Sequence, residues 1–147
     1  MRRRLENYKY LKKRWFDLVK EISELQEKRN TYEPITNGGV VGGIKGGISS
    51  PTENKAIAKI YFYEQIDKLI AEKITEKEQA EKELTELDAF IESIPDVTIK
   101  DMADNKYRKG YGWQRVCEAA FYSPSSWNYV KGKVEGYILT LFHDSQY

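Results

Sequence analysis

The chain has 147 residues, 32% of them charged and 40% hydrophobic, with a formal net charge of +1. This is a helix-rich profile with length for one ordinary domain, or for an extended arm and a small head, and any affinity for nucleic acid has to come from a local patch rather than from bulk charge. A single cysteine excludes an internal disulfide framework.

Met1-Arg2-Arg3-Arg4 could open an export signal, but Glu6, Asn7 and Lys9 interrupt any apolar run behind it. No stretch is long and apolar enough to span a bilayer, so a cytoplasmic protein without membrane contact is expected. Residues 3–33 contain neither glycine nor proline, and apolar side chains recur at Tyr8, Leu11, Trp15, Leu18, Ile22, Leu25 and Tyr32. Steps alternating between three and four residues predict a helix with a coiled-coil seam, blunted where Arg29 takes a seam position.

Residues 36–50 break that pattern, with glycine pairs at Gly38-Gly39, Gly42-Gly43 and Gly46-Gly47. So much glycine buries too little side chain to offset its ordering entropy, and the segment reads as a loop. A phosphate-cradling loop would need a Lys-Ser/Thr pair after a strand, whereas Lys45 is followed by Gly46. Val40, Val41, Ile44 and Ile48 leave two readings open for this tip, an inert linker or a contact for another protein.

A second long helix is predicted from Thr52 to Ile94, between Pro51 and Pro95. Its seam passes through Tyr63, Ile66, Ile70, Ala80, Leu84, Leu87, Ile91 and Ile94, with Lys73 and Lys77 weakening the middle. Charge then selects the pairing. Residues 2–14 carry seven basic side chains against one acidic, and residues 76–92 carry seven acidic against two basic. An antiparallel hairpin lays these stretches side by side, while a parallel self-dimer sets like charges together. A dimer swapped through the same pairing stays open.

After Pro95, Val97, Ile99, Met102, Ala103 and Tyr107 predict a short amphipathic helix over residues 96–109, stopped by Gly110 and Gly112. Residues 110–130 then read as helix, tight turn, helix. Ser123 is a favoured N-cap and Pro124 suits a first helical position. Val116, Cys117, Ala120, Tyr122, Trp127, Val130, Val134 and Ile138 are the expected inward positions. The turn calls for a left-handed residue, usually glycine, and Phe121 stands there; either it adopts that conformation or the turn is built otherwise.

Two short helices joined this way can seat the second in a DNA major groove. Ser123, Ser125, Ser126, Asn128, Tyr129, Lys131 and Lys133 are the candidate DNA-facing residues: Asn128 has the chemistry to pair with adenine, the lysines to neutralise phosphates, the serines to reach base edge or backbone. Arg108, Lys109, Gln114 and Arg115 are placed where the preceding elements would cross the backbone. The same geometry also serves protein contacts in a plain three-helix bundle.

At these residues the chain resembles a known family. Tyr107-Arg108, Gly110, Trp113, Val116 and Tyr122-Ser123-Pro124-Ser125-Ser126 are similar to the C-terminal signature of small phage and prophage late-gene activators of the ArpU/RinA type. The head of that family is similar to region 4 of bacterial sigma factors. The resemblance covers residues 96–142 and, more loosely, the arm. It implies sequence-specific binding of double-stranded DNA in a bacterial host cell, with RNA polymerase as second partner. By position it puts the DNA-facing side chains at Ser125, Ser126, Asn128, Tyr129 and Lys131. The second helix here is less basic than the sigma-like pattern, so a dimer or Arg2 to Arg4 would supply further phosphate contacts.

Other residues have plainer readings. Cys117 sits where a small buried residue is needed, and His143 lies in a tail. The carboxylates of residues 76–92 read as a solvated face rather than a metal site. Trp15, Trp113 and Trp127 fall on apolar faces, and Arg2 to Arg4 serve helix pairing or DNA phosphates. The expectation is thus an all-α protein with a long antiparallel two-helix coiled-coil arm (residues 1–95) and a small three-helix, helix-turn-helix head (residues 96–147). It would be a non-enzymatic transcription regulator without cofactor or metal. The alternatives are a coiled-coil adaptor and a small-terminase-like DNA-packaging subunit.

Overall fold

The computed structural model describes residues 1–32 and 51–145; the glycine-rich segment 36–50 lies outside the described residues, as do the side chains of residues 51–53 and those from His143 onward. Among the described residues every regular element is helical and there is no strand. In chain order these are α1 (Arg2–Glu6), α2 (Tyr8–Asn30), α3 (Pro51–Glu92), α4 (Val97–Ala103) continued by a π-helical turn (Asp104–Arg108), α5 (Trp113–Ala119), a 3-10 turn (Pro124–Ser126) and α6 (Trp127–Ser145).

Two compact units make up the chain. One joins Met1–Phe16 to Glu78–Tyr147, and the other is Asp17–Lys77. The boundary therefore cuts across both long helices, not at Pro95 where the change of periodicity placed it. The cause is burial. Leu5 and Tyr8 from the chain start, and Leu87, Ile91 and Ile94 from the end of α3, share one apolar cluster with Ile99, Met102, Val116, Val130, Val134 and Ile138. A proline ends a helix, but it does not end a core.

In the larger unit, the helix expected to run unbroken from residue 3 starts at Arg2 and is interrupted at Asn7, whose N–H reaches back to the carbonyls of Arg3 and Arg4 at 3.2 Å each. Arg4 meets Glu86 at 2.7 Å and Glu83 at 3.7 Å, so the basic start does lie beside the acidic part of α3. After Pro95, Asp96 caps α4 by accepting the N–H of Ile99 at 3.0 Å, which satisfies one of the donors a helix start leaves open. Val97 is 71% exposed, although its neighbours Ile99, Met102 and Ala103 are buried. It sits in the first turn, one step off the apolar stripe.

The predicted helix 96–109 is not uniform. Over Asp104–Arg108 the repeat widens: Lys109 N–H bonds to Asp104 O at 3.0 Å and Tyr111 N–H to Asn105 O at 2.9 Å. Gly110 then takes φ +75°, a left-handed value that glycine adopts without Cβ strain. The extra residue in this turn keeps Tyr107 buried while it swings Arg108 back toward α3.

The smaller unit pairs the second half of α2 with the first half of α3. Glu21 pairs with Lys73 at 3.0 Å, Arg29 with Asp67 at 2.6 Å, and Tyr32 stacks on Phe62 with centroids 4.2 Å apart. Partner numbers fall as numbers along α2 rise, so these segments run antiparallel. Leu18, Ile22 and Ile66 are buried between the polar rows. Arg29 keeps its place in the apolar row because its guanidinium meets both Asp67 and the ring of Tyr63, 4.8 Å away.

Leu87 has no exposed surface and sits where α1, α3 and the later helices share a core. Leu87→Ala is expected to lower unfolding free energy by about 2–5 kcal/mol, read as a lower urea midpoint at unchanged slope. A loss well under 1 kcal/mol would mean that the two ends of the chain do not share this core.

Candidate nucleic-acid interface

The connection between α5 and α6 is set by how α5 ends. Tyr122 N–H bonds to Cys117 O at 2.8 Å and Phe121 N–H to Glu118 O at 3.1 Å. Nested bonds of this kind close a helix only if the residue after its cap is left-handed. Phe121 is that residue, at φ +64°. It occupies the position glycine usually fills and accepts the steric cost. Its ring gains nothing in return within the chain, being 99% exposed. Tyr122, next in line, turns inward onto the core.

Beyond the turn, Ser123 has the extended backbone of an N-cap, φ −66° and ψ 140°, but its side chain caps nothing. Its carbonyl accepts Ser126 N–H at 2.9 Å, and its hydroxyl lies 2.9 Å from that of Ser125. Pro124 therefore opens a 3-10 turn, and α6 proper begins at Trp127. Val130, Val134 and Ile138 bury fully against Val116 and Cys117, while Trp127, Ala120 and Tyr122 pack at the margin. Burial pushes the Cys117 thiol above its ordinary value, as expected of an inert core cysteine.

Opposite that stripe, Ser125, Asn128, Tyr129 and Lys133 are exposed, and Ser126 is half-buried. Lys131 is also half-buried. At about 100° per residue, Lys131 and Lys133 flank the outer face of α6 on opposite sides. Lys131 lines a cleft with Lys9, Lys106, Tyr107 and Glu135. The two lysines expected on one surface therefore lie on two.

The preceding elements also divide. Gln114 and Arg115 are exposed, with the Arg115 guanidinium stacked 3.8 Å above the Tyr111 ring. Lys109 is exposed but stays near Asp104, at 3.8 Å. Arg108 is committed elsewhere. It meets Asp104, Glu92 at 2.7 Å and Asp88 at 3.4 Å, and Asp88 also accepts the Tyr8 hydroxyl at 2.8 Å. Burial works against the Arg108 charge, but hydrogen bonds to Glu92 and Asp104 outweigh it and hold the guanidinium above its ordinary value. With Nε and both terminal nitrogens each directed at a carboxylate, Arg108 joins α3 to the π-helical turn instead of standing open for a phosphate.

Within the same network, hydrogen bonds from Lys100 and Arg108 bring the Glu92 carboxyl down to about 2. Burial and the bond to Asp88 push the Tyr8 phenol up to about 12. The basic start is divided as well: Arg2 pairs with Glu135 of α6 at 3.2 Å and with Glu6 at 3.7 Å, Arg4 pairs with α3, and Arg3 is exposed with no ion pair among the described residues.

Three positions escaped the sequence reading. Lys9 and Lys106 join Lys131 at the cleft, a grouping from three distant segments that no local spacing could signal. Phe121 had a signal, a bulky residue at a glycine position, but its exposure did not follow from it. Among the described residues no cluster of three metal-ligating side chains occurs, and no helix is long and apolar enough to cross a membrane. Comparison of the chain with family models, with curated proteins and with solved structures finds no match.

Phe121→Gly is expected to raise unfolding free energy by about 0.5–1 kcal/mol, the left-handed strain relieved less the added entropy of the unfolded glycine. A loss of stability in thermal or urea unfolding would show that the ring packs. For Glu92, whose folded value lies below its ordinary 4.5, the associated stability is complete above pH 4.5 and is lost as pH falls toward 2. Glu92→Gln should flatten the fall of the urea midpoint across that interval, and equal slopes for parent and variant would refute the linkage.

Proposed function

We propose that the chain is a DNA-binding transcription regulator whose α6 enters the major groove of a duplex. One observation carries the reading. The α5–α6 connection is closed by a left-handed Phe121, and past it α6 buries Val130, Val134 and Ile138 while Asn128, Tyr129 and Lys133 stay open to solvent. A helix held from behind by a core, with an amide, a phenol and an ammonium on its outer side, has the donors and acceptors for base edges and phosphates. Ser125 and Ser126 at its opening turn add short side chains that do not block close approach.

Phe121 supports the same reading. Non-glycine residues in left-handed backbone with fully exposed rings are costly, and such strain concentrates where a surface is used. Gln114 and Arg115 on α5 supply the adjoining backbone contacts in this proposal, and Arg108 does not. The resemblance to phage late-gene activators points the same way, with RNA polymerase as second partner and the bacterial cytoplasm as the setting. No catalytic role is assigned to any residue in this reading.

Selection of duplexes from a random-sequence pool by the full chain is the direct test. A shared sequence should be enriched, and affinity for it should fall steeply as salt rises. The combined change Asn128→Ala, Tyr129→Ala and Lys133→Ala should weaken binding to the enriched duplex by roughly tenfold or more, with the helical circular dichroism intact. No enriched sequence, or equal binding by the variant, returns the chain to the class of helical adaptors.

A further inference from the structure

The cleft beside α6 has a volume of about 440 Å³ and is lined by Leu5, Glu6, Lys9, Lys106, Tyr107, Gly110, Trp113, Lys131 and Glu135. Four segments of one compact unit converge on it: the α1–α2 start, the π-helical turn, α5 and α6. Its charges are not balanced. Arg2 pairs with both carboxylates of the lining, Glu135 at 3.2 Å and Glu6 at 3.7 Å. Lys9, Lys106 and Lys131 form no ion pair among the described residues; Lys106 only rests over the Trp113 ring, 5.0 Å from its centroid. The lining thus carries three ammonium groups against two carboxylates that share the single charge of Arg2, a local excess of two positive charges.

At the same place a buried donor is unsatisfied. Tyr107 is 3% exposed, and its hydroxyl has no hydrogen-bond partner. Tyr107 lines the cleft together with Glu6 and Glu135, and burial, followed by these two carboxylates, pushes its phenol above the ordinary value. A buried hydroxyl without a partner costs about 1–3 kcal/mol, a state that Tyr107 shares in this unit with the Trp15 indole N–H, and at the cleft it asks what accepts from the hydroxyl. The end of the Lys9 side chain lies against Gly110, which has φ +75°, and a Cβ there would push it aside. The π-helical turn directs both Lys106 and Tyr107 to the cleft, and such turns recur at functional sites.

We propose that this cleft binds a small phosphorylated molecule, up to about the size of a mononucleotide, with its phosphate held by Lys9, Lys106 and Lys131 and by a hydrogen bond from Tyr107. The volume falls in the range of small-molecule sites and far exceeds one phosphate group, which leaves room for an organic portion along the Trp113 wall. The proposal does not depend on duplex binding. Should α6 also read DNA, occupancy would neutralise Lys131 at the flank of that helix and couple the two events.

Isothermal titration of the full chain with sodium pyrophosphate, at ionic strength held constant with chloride, tests it. One saturable site with Kd below about 1 mM is expected. Lys9→Gln combined with Lys106→Gln should weaken it at least tenfold, Tyr107→Phe several-fold, and Lys12→Gln, exposed and not part of the lining, not at all. In the parent protein, amide shifts on adding pyrophosphate should cluster at residues 106–111 and around Lys9 and Lys131, a readout that needs no variant to fold. Absence of saturable binding overturns the proposal, as does equal weakening by Lys12→Gln or shifts scattered over the chain. If pyrophosphate does not bind while the same cleft variants weaken binding to a duplex, the cleft takes a backbone phosphate of DNA and the free-ligand assignment is wrong.

Discussion

Leu5 and Leu87, both without exposed surface, lie in one apolar cluster with Val116, Val130 and Val134. Each such side chain contributes about 1.5–3 kcal/mol when taken out of water, and the contacts join residues more than eighty positions apart. α4 and α5 span only seven residues each, too few to be stable helices alone. They persist because the start of the chain and the end of α3 complete the core they lean on. The placement of α6, and of every side chain it presents, depends on that closure.

Polar groups then fix how the elements meet. Arg108 gathers Asp88, Glu92 and Asp104, and Asp88 in turn holds the Tyr8 hydroxyl. Exposed ion pairs contribute little one by one, but this arrangement ties the π-helical turn that continues α4 back to the end of α3. That turn carries Tyr107 inward and Lys106 toward the cleft. The same logic holds at the chain start, where Arg2 bridges to Glu135 on α6. Several basic residues that could have served a nucleic acid are spent on holding the fold, while Arg3, Lys9, Lys106, Arg115, Lys131 and Lys133 are some of those that form no ion pair among the described residues. A net charge of +1 hides this division completely.

Strain and an unsatisfied donor mark the two surfaces of interest. Phe121 closes α5 in a left-handed conformation with its ring in water, and Tyr107 is buried with an idle hydroxyl. Neither improves the stability of the isolated chain. They lie in different connections, Phe121 in the turn between α5 and α6 and Tyr107 in the π-helical turn before α5, so the two proposals rest on different segments.

Much of the fold was legible in the residues themselves. The apolar stripes of α2, α3 and α6 lie where their periodicity put them, with Leu18, Ile22, Ile66, Leu87, Ile91, Val130, Val134 and Ile138 all buried. Arg29 and Lys73 were visible as interruptions, and the structure shows them paired to Asp67 and Glu21. The left-handed demand at Phe121 was also readable, because helix closure imposes it locally. Periodicity orients a side chain relative to its own helix axis and no further. Which margin of α6 meets another element, whether Arg108 faces solvent or three carboxylates, and where one compact unit ends are decided by pairing between distant segments. Only the tertiary structure could turn Lys131 toward Lys9 and Lys106, because nothing in the chain between them records that they meet.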